Sequence, residues 1–372
     1  MKINKILYLM RDKLEALPPS MSQIVTLCNN GYEVCVITSK VSDYIKNFFK
    51  NYNVIFWESD KSEVLAKNKF DKIFRILNFR KKVKYALKTY KYDLIWIGSA
   101  DTALYCKDIL KTRSPYVLNI YELYDTHPKM LKSIKELSQK AESIVVPEYN
   151  RAHILKVWLE LKKTPVIIPN KPNFSAVEID IKTKEIVDGL KALNKKIVLY
   201  QGWIGKDRDV SKIADALNTL ENKDEYVLIL MGKVMSSDTI NYIKNKFNNT
   251  IHIPFLSPPQ HLFVTESAYI GIATYDDSTL NNIFCAPNKI YEYAEKNVPI
   301  LARNIPGLTN TIGKFNAGVC VDTENILEIA HAIKEIDINH DKYTLALRKF
   351  INEYNVNDSI LQILRECEDA HK

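Results

Sequence analysis

Residues Pro287 to Ala302 read PNKIYEYAEKNVPILA, and the architecture can be worked out from this segment. Pro287 interrupts whatever precedes it, and Asn288 is a residue type that caps helix N-termini. A helix is expected over Lys289 to Lys296, with Asn297 as a left-handed stop. The apolar run Val298 to Ala302 is expected as a buried strand. Asn288, Glu292 and Glu295 share one helical face. The backbone N–H groups of Lys289 and Ile290 would project from the helix N-terminus, a place that favours a phosphate. One turn on, Glu292 offers two acceptor oxygens to a pair of ribose or sugar hydroxyls. The pattern suits a nucleotide-sugar, with its diphosphate at the helix tip and its ribose beside the acid. The competing reading is a capped surface helix with a solvated Glu292.

Apolar segments recur on both sides of this one. In the first half they are Lys5 to Met10, Glu33 to Thr38, Val54 to Trp57, Asp93 to Gly98, Tyr116 to Glu122, Ser143 to Pro147 and Thr164 to Pro169. Helical stretches lie between them, including Ser20 to Asn29, which Gly31 ends. Continuous apolar strands alternating with helices predict a parallel sheet covered on both faces. Asn170 to Asn173, next to Pro169 and containing Pro172, reads as a break. The alternation then restarts at Ile197 to Gln201, Tyr226 to Met231, Ile251 to Pro254, Tyr269 to Thr274, Val298 to Ala302 and Gly318 to Val321. The expected fold class is α/β, with two doubly wound Rossmann-like domains, residues 1–168 and 169–355, facing a central cleft. Ligands of such sheets bind at the carboxyl ends of the strands, so one domain per substrate is expected. The tail, Asn339 to His371, reads as two helices broken near Asn355 to Asp358.

Pro287, Asn288, Lys289, Tyr291, Glu292, Tyr293, Pro299, Ile300 and Ala302 match a pattern of donor sites in transferases. The chain resembles GT-B glycosyltransferases, in particular family-4-like members that build bacterial surface and capsular polysaccharides. The resemblance implies that the second domain binds a nucleotide-sugar donor, and that the first binds a glycan or lipid-linked glycan acceptor. It also implies a C-terminal helix, about 356–372, that returns to the first domain. Transfer is expected to retain configuration, with no cofactor and no metal, in the cytoplasm or at the inner face of the plasma membrane. The sequence departs from the family where Phe284 stands in place of an earlier glutamate; Asn281, Asn282 and Asp277 are the nearby polar substitutes.

Further candidates lie at other strand ends. Gln201 to Arg208 reads QGWIGKDR. Gly202 and Gly205 allow close backbone approach, and Lys206 and Arg208 bring positive charge to a departing diphosphate. Gly232 closes the next strand, near where the resemblance places the base. Pro254 to Pro259 reads as structural. Asn119 to Pro128, NIYELYDTHP, is the richest polar stretch of the first half. Glu122 and Asp125 are the preferred pair to orient or deprotonate an acceptor hydroxyl, with His127 beside them. The alternative for Asp125 is a helix cap or turn residue. Leu17 to Met21, LPPSM, is expected as a loop after the first strand, where Pro19 and Ser20 would shape the acceptor pocket. Asp207 and Asp209 form a D-x-D pattern, better explained as a charged turn than as a metal site.

Composition narrows the rest. The chain has 372 residues, 46% of them hydrophobic, which is enough for two cores. The six cysteines show no C-x-x-C pair or zinc-ligand spacing and read as reduced core residues. Ile3 to Met10 is short and runs into Arg11, Asp12 and Lys13, so a secretion signal is not expected there. The formal net charge is +8, and its location matters more than its size. From Lys69 to Lys91, basic residues recur against Asp71 alone, with Phe70, Phe74, Leu77, Val83 and Leu87 at helical spacing. Such a helix can touch an anionic membrane; the alternative is a solvated lysine-rich face. Nucleic acid is not an expected partner, because no recognition motif accompanies the charge. Two other functions stay open: a GT-B-like sugar-nucleotide epimerase, against which the sparse histidines argue, and a non-catalytic glycan- or membrane-binding subunit.

Overall fold

The computed structural model describes residues 2–60, 68–113, 115–174, 177–205, 210–235 and 237–370. The chain divides into two compact units, Met1–Asn173 with Tyr354–Lys372, and Phe174–Glu353. In the first, β1 (Lys5–Leu9), β2 (Glu33–Thr38), β3 (Val54–Glu58), β4 (Leu94–Ile97), β5 (Tyr116–Asn119), β6 (Ser143–Val146) and β7 (Val166–Ile167) form a sheet in the order β3-β2-β1-β4-β5-β6-β7. In the second, β8 (Lys196–Gln201), β9 (Tyr226–Met231), β10 (Thr250–Ile253), β11 (Ile270–Ala273), β12 (Ile300–Arg303) and β13 (Gly318–Val321) run in the order β10-β9-β8-β11-β12-β13. Every ladder is parallel. The order reverses between β1 and β4 and again between β8 and β11, so each sheet is doubly wound and has one switch point. Each unit is thus the doubly wound α/β domain expected from the sequence.

The strands are apolar throughout because helices cover both faces. β9 is buried along its whole length. Its Leu228 and Leu230 pack with Ile213, Leu217 and Ile333 on one face, while Ile229 and Met231 pack with Ile290 and Tyr293 on the other. The C-terminal helix Val356–Asp369 belongs to the first unit and lies against the helix Pro18–Asn29. There Asn30 Nδ2 donates to Asn357 Oδ1 (2.6 Å).

Three expectations shift. The LPPSM segment is not a loop: Pro18, Pro19 and Ser20 form the first turn of a helix, where proline costs nothing because the first N–H groups have no intrahelical acceptor. Pro19 and Ser20 are buried there. The strand expected to reach Glu122 ends at Asn119. Asn288 is not the cap: extended Pro287 (φ −73°, ψ 142°) occupies that position, and Asn288 is the first residue of the helix Asn288–Glu295.

The end of that helix follows the sequence. Asn297 takes φ +56°. Its amide donates to Ala294 O (3.1 Å) and that of Val298 to Tyr293 O (2.9 Å), a Schellman stop. The helix is seated by Tyr293, whose hydroxyl donates to Leu199 O (3.0 Å) and Ile272 O (3.3 Å). Its ring fills the place of a missing side chain, since a Cβ on Gly271 would lie 2.5 Å from Tyr293 Cδ2. Gly271→Ala is expected to destabilise this unit by about 1–3 kcal/mol through overpacking, read as a lowered denaturant midpoint. An unchanged midpoint would show that the helix does not rest on Gly271.

Candidate functional site

The carboxyl ends of β8 and β9 run into two glycines with positive φ, Gly202 (+137°) and Gly232 (+144°). Their backbones are stacked so closely that a Cβ on Gly232 would lie 1.9 Å from Gly202 O. Gly202 N donates to Met231 O and Gly232 N to Ile253 O, both at 2.9 Å, which holds the turn rigid.

Lys289, in the first turn of the helix Asn288–Glu295, reaches this turn. Its side chain is buried, 6% exposed. Nζ sits 4.1 Å from the Tyr200 ring centroid and 5.4 Å from that of Tyr275. It also lies 3.3 Å from where a Gly202 Cβ would be. An ammonium on aromatic faces keeps its charge inside the protein by cation–π attraction. The helix N-terminus adds its own partial positive charge. Gly202, Gly232, Asn288, Lys289 and Ile290 therefore belong to one neighbourhood, beside the β8/β11 switch point. The sequence pointed to the backbone of Lys289; the folded chain adds its side chain, together with Tyr200 and Tyr275.

Glu292 is not a solvated surface acid. It is 6% exposed. Gln201 Nε2 donates to its Oε2. His261 Nε2 lies 3.1 Å from its Oε1. Thr265 Oγ1 donates to Gln201 Oε1 (2.8 Å) and so fixes the amide that holds the carboxylate. His261 Nδ1 is buried without a hydrogen-bond partner among the described residues. A carboxylate has about four acceptor positions, of which these contacts use two.

Lys206 and Arg208, with Asp207 and Asp209, lie outside the described residues. Of the substitutes proposed for the missing glutamate, Asn282 donates to Asp276 Oδ2 (2.9 Å) and Asp277 pairs with Arg303 (3.3 Å). Both are engaged with protein partners. No group of three or more histidine, cysteine, aspartate or glutamate side chains suited to a metal occurs among the described residues.

In the first unit the expected acceptor residues have different surroundings. Glu122 is half exposed and lies 3.5 Å from Arg151 Nη1, which also donates to Tyr121 O. Asp125 sits in a turn rather than at a helix cap; His127 holds the cap position and makes no capping bond. The His127 ring is exposed, with Nδ1 2.9 Å from Thr126 Oγ1. Ser20 instead joins a buried polar cluster that sequence reading did not single out. Its hydroxyl lies 3.4 Å from that of Tyr121, and Asn119 Nδ2 and Tyr8 donate to Gln23 Oε1 at 2.7 and 3.0 Å. Burial pushes the Tyr121 hydroxyl up to about 12, so it stays a donor. The β1/β4 switch point lies nearby, where Arg11 N donates to Thr102 Oγ1 (3.0 Å). There Tyr124, held at φ +58°, donates to Asp101 (3.1 Å). Burial and then Asp101 raise its pKa. A non-glycine residue in that conformation is costly and marks a constrained position.

No family model and no curated protein matches the chain in sequence. Solved structures match it over its whole length. A sucrose-phosphate synthase from Thermosynechococcus elongatus aligns with a TM-score of 0.71 at 14% identity, over 99% of this chain and 100% of that one. A glycosyltransferase from Rickettsia africae aligns with 0.71 at 16% identity, over 100% of both. Anabaena HepE in complex with UDP-glucose aligns with 0.72 at 13% identity, over 99% of both. At such identities the likeness is one of fold, and the fold is that of GT-B glycosyltransferase structures.

Gln201→Leu removes one donor to a buried carboxylate and is expected to cost about 1–3 kcal/mol of stability. A thermal transition equal to that of the unaltered protein would mean that Glu292 does not depend on Gln201.

Proposed function

We propose that the chain is a glycosyltransferase that moves a sugar from a nucleotide-sugar to a hydroxyl of a glycan or lipid-linked glycan in bacterial surface polysaccharide assembly. The observation that carries this reading is the meeting of the Lys289 ammonium with the Gly202 turn, next to the buried Glu292. A desolvated cation, a positive helix end and a turn without side chains are what a departing diphosphate needs. In this reading the bond from the anomeric carbon to the phosphate oxygen breaks, and its electron pair leaves with the nucleotide. Lys289, with Lys206 and Arg208, stabilises that charge, so cationic side chains serve where other transferases use a metal. Glu292 accepts from the ribose hydroxyls with the lone pairs that Gln201 and His261 leave. Glu122 or Asp125 orients the acceptor hydroxyl and takes its proton, and Pro19, Ser20 and His127 flank that region. Attack on the same face retains configuration. HepE was solved with UDP-glucose, so a uridine nucleotide is the first donor to test. In this reading the reaction takes place in the cytoplasm, and at the inner face of the plasma membrane where the acceptor is lipid-linked.

A non-catalytic glycan-binding subunit is the second reading. It is favoured by Phe284 in place of an acid and by the engagement of Asn282 and Asp277 elsewhere.

The tests are direct. A nucleoside diphosphate is expected to raise the thermal transition by mass action. Lys289→Met is expected to weaken that binding by roughly tenfold to hundredfold, the loss of one charged hydrogen bond. Glu292→Ala is expected to cost transfer by on the order of tenfold or more. Unchanged affinity in Lys289→Met would remove this residue from the site. Nucleotide binding without any release of nucleoside diphosphate from a donor sugar would favour the second reading.

A further inference from the structure

The helix Lys69–Thr89 carries a surface that the transferase reading leaves unused. Its buried side is short: Phe79, Val83, Ala86 and Leu87. On the outer side Phe70 is 84% exposed, Phe74 62%, and Ile73 and Leu77 55% each. Phe70, Phe74 and Leu77, then Lys81, Lys84 and Lys88, follow one another at alternating spacings of four and three residues, so they form one continuous stripe on a single helix face. The first half of the stripe is apolar and the second half cationic. Lys81, Lys84 and Lys88 are all exposed. The helix's single acid, Asp71, is bound to Arg75 (3.2 Å) and lies off the stripe.

The surface beside the cationic half has the same character. Tyr85 is exposed and its ring lies 5.8 Å from that of Trp57. Together with Lys46 and Lys82 they line an open groove of about 420 Å³. The carboxylate at its edge, Glu58, is already taken by Lys40 and Lys46 (3.1 Å to Lys46). Aromatic rings with a polar tip, set among cations, suit the level of lipid headgroups.

We infer that this helix docks the protein on an anionic lipid surface. Phe70, Ile73, Phe74 and Leu77 enter the acyl boundary, while Lys81, Lys84 and Lys88 lie against anionic headgroups. Charge complementarity selects this occupant. A partner helix would meet an apolar stripe only over the first half, and then three lysines on the same face, which an anionic surface neutralises and an apolar one does not. The inference rests on this surface alone and stands whether or not the chain transfers sugar.

Vesicle flotation of the full chain tests it, with phosphatidylcholine alone and with added phosphatidylglycerol. Binding is expected only to the anionic vesicles, and raised salt is expected to weaken it. F70S/F74S is expected to abolish stable binding. K81E/K84E/K88E is expected to weaken it by on the order of a hundredfold or more, since losing each lysine costs about fivefold and each added carboxylate is repelled. K182E/K184E/K191E changes net charge equally on an exposed part of the second unit and is expected to leave binding intact. All three variants change exposed positions, and an unaltered thermal transition confirms that they fold. The inference is overturned if the unaltered protein floats with neither vesicle, or equally with both. It is also overturned if the control triple weakens binding as much as the helix triple. A dimer that F70S/F74S dissociates, with no flotation, would overturn it in favour of a surface between copies of this chain.

Discussion

The contact between Tyr293 and Gly271 sets the second unit of this molecule. A ring lies where a side chain on β11 would be, and its hydroxyl is bound to the backbones of both β8 and β11. One side chain thus ties a helix to the two strands that flank the sheet's switch point. Lys289 precedes Tyr293 by one helical turn and shares its face, so it is carried under the helix to the end of β8. There the glycine pair leaves room for its ammonium. Glu292 falls on the last residue of β8, Gln201. The placement of Lys289 and Glu292 follows from how the helix is seated.

Two opposite charges are buried in this neighbourhood and are accommodated in different ways. Lys289 rests on the faces of Tyr200 and Tyr275, which attract a cation. Glu292 is held by hydrogen bonds from an amide and by a histidine, which fix its orientation but leave acceptor capacity. Both groups are already stripped of water, so an incoming anion meets a cation in a low-dielectric setting, where the attraction is stronger than at a surface.

Much of this was legible in the sequence. The strands could be found because a parallel sheet covered on both faces needs unbroken apolar runs, such as YVLILM at Tyr226–Met231. The stop at Asn297 could be found because few residues other than glycine accept a left-handed backbone. What failed were element boundaries: two helix starts, and a strand that stops at Asn119, three residues short of Glu122. Proline fits both a loop and a first helical turn, so LPPSM and the Pro287–Asn288 boundary were misplaced. The burial of Lys289, and its place on Tyr200 and Tyr275, could not be read, because it depends on which strand ends come to lie beneath the helix. The same holds for the bond between His261 and Glu292, which are far apart in the chain. In the first unit, Ser20 belongs to a buried cluster with Gln23 and Asn119, and Tyr124, in the same polar stretch as Asn119, bonds to Asp101. These are contacts between residues far apart in the chain that no local pattern shows.

The central claim is that a pyrophosphate sits between the Gly202 turn and the first turn of the helix Asn288–Glu295. A crystal structure of the protein with uridine diphosphate bound tests this most directly. The diphosphate is expected within about 3 Å of Lys289 Nζ, with the ribose hydroxyls on Glu292. A nucleotide seated elsewhere on the second unit, or on the first, with Lys289 still resting on Tyr200 and untouched, would contradict it.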